Sequence, residues 1–182
     1  PAGQSESEDD TAREPVDAPP RAVTVDDLGW SPDGAYAVAS IHSVDNKDRW
    51  LVALSPNDPA PRLIERLTLD SWINWRFNEF FFLPDGRLLY LSEATDRSQL
   101  YLWDPADGTT RRLPPDRGVV SRPQITRDGS HVLYVANTVD APYRFDVYRV
   151  AIDGPSNELA SAEQLTSLGG TINSYHPSPS GE

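Results

Sequence analysis

From residue 22 onward, short apolar runs alternate with polar turns. Ala35-Tyr36-Ala37-Val38-Ala39, Leu88-Leu89-Tyr90-Leu91 and His131-Val132-Leu133-Tyr134-Val135 each follow a turn. After a polar loop comes a second run with an aromatic near its start: Trp50-Leu51-Val52-Ala53-Leu54, Leu100-Tyr101-Leu102-Trp103 and Val147-Tyr148-Arg149-Val150. A last short run ends in Leu67-Thr68, Leu113-Pro114 or Leu165-Thr166. Runs this short, rich in β-branched and aromatic residues, predict strands. Residues 156–164 carry the one weak helical signal, a single turn with Ser156 as its cap.

The turns repeat. Ser31-Pro32-Asp33-Gly34, Leu83-Pro84-Asp85-Gly86, Thr126-Arg127-Asp128-Gly129 and Ser178-Pro179-Ser180-Gly181 place glycines 52, 43 and 52 residues apart. Pro presets φ, Asp bonds nearby amides and Gly accepts positive φ, so each segment reads as a hairpin turn. Trp30, Phe82 and Ile125, four residues before the first three glycines, end a strand that precedes each turn. Each unit thus holds four short antiparallel strands, which is one propeller blade. The expected fold is all-β: a partial β-propeller of about three four-stranded blades plus the start of a fourth. Blades are expected over about 22–74, 75–118 and 119–170, with a fourth opening at 171. A β-sandwich is the competing fold, and recurrence of whole four-strand units weighs against it. Three blades leave open edges, so more blades are expected in the parent protein. Residues 1–21 hold six acidic residues, two basic residues and four Pro, and read as a flexible acidic linker or exposed loop. Pro1, the lack of Met and the stop at Gly181-Glu182 inside a turn suggest a segment of a longer chain.

Longer strings narrow the family. These are Asp45-Asn46-Lys47-Asp48-Arg49-Trp50, then Ser71-Trp72-Ile73-Asn74-Trp75-Arg76-Phe77-Asn78-Glu79-Phe80 leading into Phe81-Phe82-Leu83-Pro84-Asp85-Gly86, then Leu91-Ser92-Glu93-Ala94 and Gln99-Leu100-Tyr101-Leu102. Over about residues 22–182 the chain resembles the propeller of bacterial prolyl oligopeptidase family serine peptidases, in the dipeptidyl-peptidase-like branch. Its repeats also resemble those of the Tol-system propeller. Trp103-Asp104 occurs once without the Gly-His of Trp-Asp repeats. The resemblance implies a non-catalytic portion that gates and positions peptide substrates for an α/β-hydrolase domain outside this chain. It implies two partners, the peptide and that hydrolase domain of the same parent. Some members hold the substrate amino terminus with paired glutamates, but no adjacent Glu-Glu occurs here, so that role is not assigned. A non-enzymatic interaction propeller of the Tol type is the alternative.

Composition restricts the chemistry. A net charge of −12 disfavours nucleic acid and anionic membrane surfaces. With no Cys there is no disulfide or thiolate chemistry, and either redox compartment is tolerated, bacterial cytoplasm or periplasm. No apolar run is long enough for a membrane span. His42, His131 and His176 are the only histidines, and none has ligand spacing. No Gly-x-Ser-x-Gly elbow appears. Catalytic, cofactor-binding and metal residues are therefore expected to be none, and no cofactor is expected. Trp72, Trp75, Phe77, Phe80, Phe81 and Phe82 form the densest aromatic stretch, read as packing between blades or as a surface for peptide or hydrolase domain. Arg144 and Asp146, beside Phe145, are expected in a solvated loop. The 182-residue chain alone should show no hydrolysis of peptide or ester substrates. Turnover abolished by a serine-directed inhibitor would refute this.

Overall fold

The computed structural model describes residues 21–113, 118–153 and 162–178. The linker expected over residues 1–20, the helical signal at 156–161 and the end of the fourth turn at 179–182 lie outside the described residues. Among the described residues, twelve strands form three antiparallel meanders. The first sheet has order β1 (Val23–Trp30), β2 (Ala37–Ser43), β3 (Asp48–Ser55) and β4 (Asp58–Thr68). The second has β5 (Phe80–Phe82), β6 (Leu88–Ser92), β7 (Gln99–Trp103) and β8 (Thr110–Arg112). The third has β9 (Val120–Ile125), β10 (His131–Thr138), β11 (Ala141–Ala151) and β12 (Ala162–Gln164). Ala162–Gln164, the tail of the weak helical signal, is thus a strand, held by pairing with Tyr148–Val150. Past it, residues 171–178 contribute a single parallel bridge, Phe145 to Thr171.

The sheets stack face to face, and the middle one is buried on both sides. Leu88, Tyr90 and Trp103 pack toward Val38, Leu51 and Ala53 of the first sheet. The alternate residues Leu89, Leu91, Leu100 and Leu102 pack toward Val132, Tyr134, Ala136, Tyr148 and Val150 of the third. Because successive strand residues face opposite ways, two buried faces require a nearly continuous apolar run. That is why β6 reads Leu-Leu-Tyr-Leu without a polar break. Cross-strand tyrosines add stacking: Tyr90 on Tyr101 at 5.5 Å and Tyr134 on Tyr148 at 5.8 Å between centroids.

The repeated turns close as their residues dictate. The N–H groups of Gly34, Gly86 and Gly129 donate to the carbonyls of Ser31, Leu83 and Thr126. All three glycines have positive φ, 71°, 90° and 73°. Asp33 and Asp128 each accept from the hydroxyl two residues before and the backbone N–H two residues after. These bonds hold both carboxyls below the usual carboxylate range.

A second repeated device closes the outer strands. Asp48 is buried on β3 and accepts from the Thr68 hydroxyl. Asp146 is buried on β11, 3% exposed, and accepts from the Thr166 hydroxyl at 3.0 Å and the Leu168 N–H at 3.3 Å. The sequence places Arg144 and Asp146 in a solvated loop; both instead lie in β11, and Asp146 is structural. The error has a physical source, because a buried aspartate with its partner 20 residues away looks like a surface charge in one dimension.

A Cβ on Gly86 would meet nothing within 4 Å, so only its φ of +90° resists substitution. Gly86→Val should therefore cost about 1–2 kcal/mol, the left-handed backbone penalty of an L-residue. Urea denaturation reads this as a lower midpoint at constant slope. An unchanged midpoint would show that the turn tolerates a β-branched residue.

Candidate functional site

Among the described residues, the turns after β1, β3, β5, β7 and β9 lie at one end of the sheets. The opposite end gathers the loops that follow β2, β4, β6, β10 and β12. There a cleft of about 490 Å³ opens between the second and third sheets. One wall is the β4–β5 connection, with Trp75, Arg76, Phe77 and Glu79. The other comes from Val119, Ser121 and Arg122 at β9, backed by Val135, Phe145 and the segment Thr171–Asn173.

The first wall is built from the Trp-Ile-Asn-Trp string. Ile73 is buried, and its N–H and carbonyl are both held by Asn46, through the Asn46 carbonyl at 3.0 Å and the Asn46 amide at 2.9 Å. Asn74 then caps a single 3-10 turn, Trp75–Phe77, by accepting the Arg76 N–H at 3.1 Å. The Asn74 N–H donates to Glu93 at 3.0 Å, so the Leu-Ser-Glu string and the Trp-Ile-Asn-Trp string meet here. Of the aromatic stretch, Phe80, Phe81 and Phe82 are partly buried against the cores, whereas Trp72 and Trp75 stay exposed. The phenylalanines of β5 therefore pack between blades, as one of the two expected roles has it.

The second wall owes its shape to a bulge. Between Gln124, opposite Leu133, and Ser121, opposite Val135, β9 carries one residue more than β10. Arg122 sits in that bulge with φ +54°, unusual for a residue with a side chain. Pro123 follows and has no N–H to lose from the ladder. The Tyr175 hydroxyl secures the bulge, 2.7 Å from the Arg122 carbonyl and 2.9 Å from that of Leu133. Glu79 stands across from it. Loss of water around its carboxyl raises its pKa, while the Arg122 N–H and charge oppose the rise.

Behind the first wall lies Arg49, 1% exposed on its side chain. It donates to Glu65 at 2.6 Å, the Leu91 carbonyl at 3.0 Å, the Phe77 carbonyl at 3.2 Å and the Asn78 side-chain oxygen at 2.9 Å. One first-sheet residue therefore ties β4, β6 and the cleft-lining turn together. Sequence reasoning missed it, although a signal was present. Arg49 pairs with Leu67, and the matching places in the other sheets hold Leu100, bonded to Leu113, and Val147, bonded to Leu165. A charge where the repeat elsewhere has an aliphatic residue marks a departure with a reason. Glu79 and Arg122 carried no comparable signal.

Of the histidines, His176 is exposed and His131 opens β10, bonded to Ser130. His42, expected in or beside a loop, is buried inside β2 and stacks on Trp75. Among the described residues no group of three or more His, Asp or Glu side chains could hold a metal.

Three stacked four-stranded antiparallel meanders with their irregular loops at one end define the class, blades of a β-propeller left open in this chain. The chain belongs to the family of the dipeptidyl peptidase IV N-terminal region, whose model matches residues 4–180. Uncharacterized protein Atu1656 of Agrobacterium fabrum is 26% identical over 175 residues, covering 95% of this chain. The chain spans about half, 54%, of that relative's length. Among solved structures, Porphyromonas gingivalis dipeptidyl peptidase 4 superposes with TM-score 0.63 at 17% identity, over 79% of this chain and 20% of that one. TolB from Acinetobacter baumannii superposes with TM-score 0.53 at 20% identity, over 76% of this chain and 31% of that one. Likenesses at such low identity establish the fold, and both point to propeller blades.

Removing Arg49 leaves Glu65, Asn78 and two carbonyls without their donor in a mostly buried site. Arg49→Leu should cost about 3–5 kcal/mol. The double variant Arg49→Leu/Glu65→Leu should cost less than the sum of the two single changes. Additive costs in a urea-denaturation double-mutant cycle would show that the pair is uncoupled.

Proposed function

We propose that this chain is the non-catalytic propeller portion of a prolyl oligopeptidase family serine peptidase. In this reading it gates and positions peptides for a hydrolase domain outside the chain. The observation that carries it is the family match over nearly the whole chain, taken with the cleft at the loop end.

The cleft suits an extended peptide. Phe77, Phe145, Val119, Val135 and Ile172 offer apolar walls, and Arg76, Arg122 and Glu79 offer both signs of charge for chain ends or side chains. The same end carries exposed Val44, Trp72, Val139, Tyr143 and Leu168. In this reading these side chains are the surface that faces the hydrolase domain. The Tol-type interaction propeller remains the second reading, because the same apolar rim would serve a separate protein partner.

In the parent protein, Trp75→Ala/Phe77→Ala should lower kcat/KM for peptides about tenfold, roughly 1.4 kcal/mol of transition-state binding. Hydrolysis of a small activated ester should keep its rate. Equal loss on both substrates, or on neither, would remove the positioning role. A parent frame without a Gly-x-Ser-x-Gly hydrolase domain, but with a stable protein partner, would favour the second reading.

A further inference from the structure

The cleft wall rests on a histidine whose protonation state the surrounding hydrogen bonds dictate. Arg49 has only donors, so the Asn78 group facing it at 2.9 Å is the side-chain oxygen. The Asn78 amide nitrogen then points at His42 Nε2, 3.1 Å away, and must donate. Nε2 therefore carries no proton. The ring's one proton sits on Nδ1 and is donated to the Asp26 carboxylate. The His42 ring also stacks on Trp75, with centroids 4.5 Å apart and planes 27° from parallel. The turn is thus held at Trp75 by His42, at Phe77 by Arg49, and at Asn78 by both.

We propose that His42 is a positioning residue and a proton-sensitive latch: neutral, it fixes the Trp75–Asn78 wall of the cleft; protonated at Nε2, it releases Asn78 and loosens that wall. A proton on Nε2 would face the Asn78 amide donor, two donors with no acceptor between them. Asn78 cannot rotate its oxygen toward His42 without leaving Arg49. The charged groups that face the ring are Asp26 from β1, which favours the imidazolium, and Arg49 from β3, which opposes it and is itself paired with Glu65 of β4. The turn brings only the neutral Asn78 and Trp75 to the ring. Loss of solvent is the largest influence and lowers the His42 pKa from its ordinary value; Asp26 opposes this, and Arg49 adds to it. The folded chain then takes up this proton at lower pH than the unfolded chain does. Stability attributable to His42 is complete above the ordinary imidazole value and falls as pH drops below it.

The consequence for a ligand rests on the peptide reading of the cleft, but the latch itself is testable without any ligand. The experiment is a pH titration of the 182-residue chain by NMR, following the imidazole nitrogens, the Trp75 indole and the Arg76–Asn78 amides. The expected result is an Nδ1–H tautomer for neutral His42, a midpoint below the ordinary imidazole value, and turn resonances that move with the His42 midpoint. In His42→Gln, which carries no imidazole, the turn movement that follows the His42 midpoint should disappear, leaving only what the neighbouring Glu79 carboxyl imposes. An Nε2–H tautomer, turn resonances that ignore the His42 titration, or the same titration surviving in His42→Gln would each overturn the latch. None of these outcomes depends on whether the cleft takes a peptide, so failure of the latch and failure of the peptide reading stay separate.

Discussion

A guanidinium does not shed its charge at any ordinary pH, so a fold that buries one must bring acceptors to it. Arg49 is the place where this chain does so. Its four acceptors come from β4, from the end of β6 and from the turn before β5. Apolar contact between the first and second sheets is non-directional and tolerates small slides. Four charge-assisted bonds from one side chain do not. They fix how the turn with Trp75 and Phe77 sits above the sheets, and the cleft inherits its first wall from that fixed position. The latch at His42 exists only because Asn78 is already committed to Arg49.

The fold was legible in the sequence because its determinants are local. An Asp-Gly turn, an apolar run and an aromatic-led run each announce themselves within about ten residues, and their recurrence multiplies the signal. The β6 run of Leu88-Leu89-Tyr90-Leu91 also carried its own message, since only a strand covered on both faces has no polar alternation. The site was much less legible. Arg49 and Leu91 are 42 residues apart, His42 and Asn78 are 36 apart, and Tyr175 reaches Arg122 across 53. No local pattern encodes such partners. What the sequence could reveal was the exception, a charged residue in a repeat position that elsewhere holds Leu or Val.

That exception suggests how a repeat architecture gains a site. Equivalent blades offer equivalent surfaces, so a cleft needs something that breaks the repeat. Here two breaks face each other. The connection from Thr68 to Phe80 is longer than that from Arg112 to Val120, and its extra length makes the 3-10 turn. On the other side, β9 gains a bulge at Arg122. Each break is then braced from outside its own strand, by Arg49 and His42 on one wall and by Tyr175 on the other. Strain and irregularity collect where the structure can over-determine them.

Part of the acidic charge, the plainest functional clue in the composition, is a by-product of the same architecture. Asp33, Asp45, Asp58, Asp85, Asp104, Asp107 and Asp128 each accept the backbone N–H two residues further on. Short strands need many turns, and an aspartate is the side chain that satisfies a turn amide most cheaply while staying in water. Seven of the 28 acidic residues therefore speak of how often the chain reverses direction. The cleft does not share that sign: it sets Arg76 and Arg122 against Glu79. Electrostatic selection at the site has to be argued from those three side chains, and the charge of the whole chain gives no guide to it.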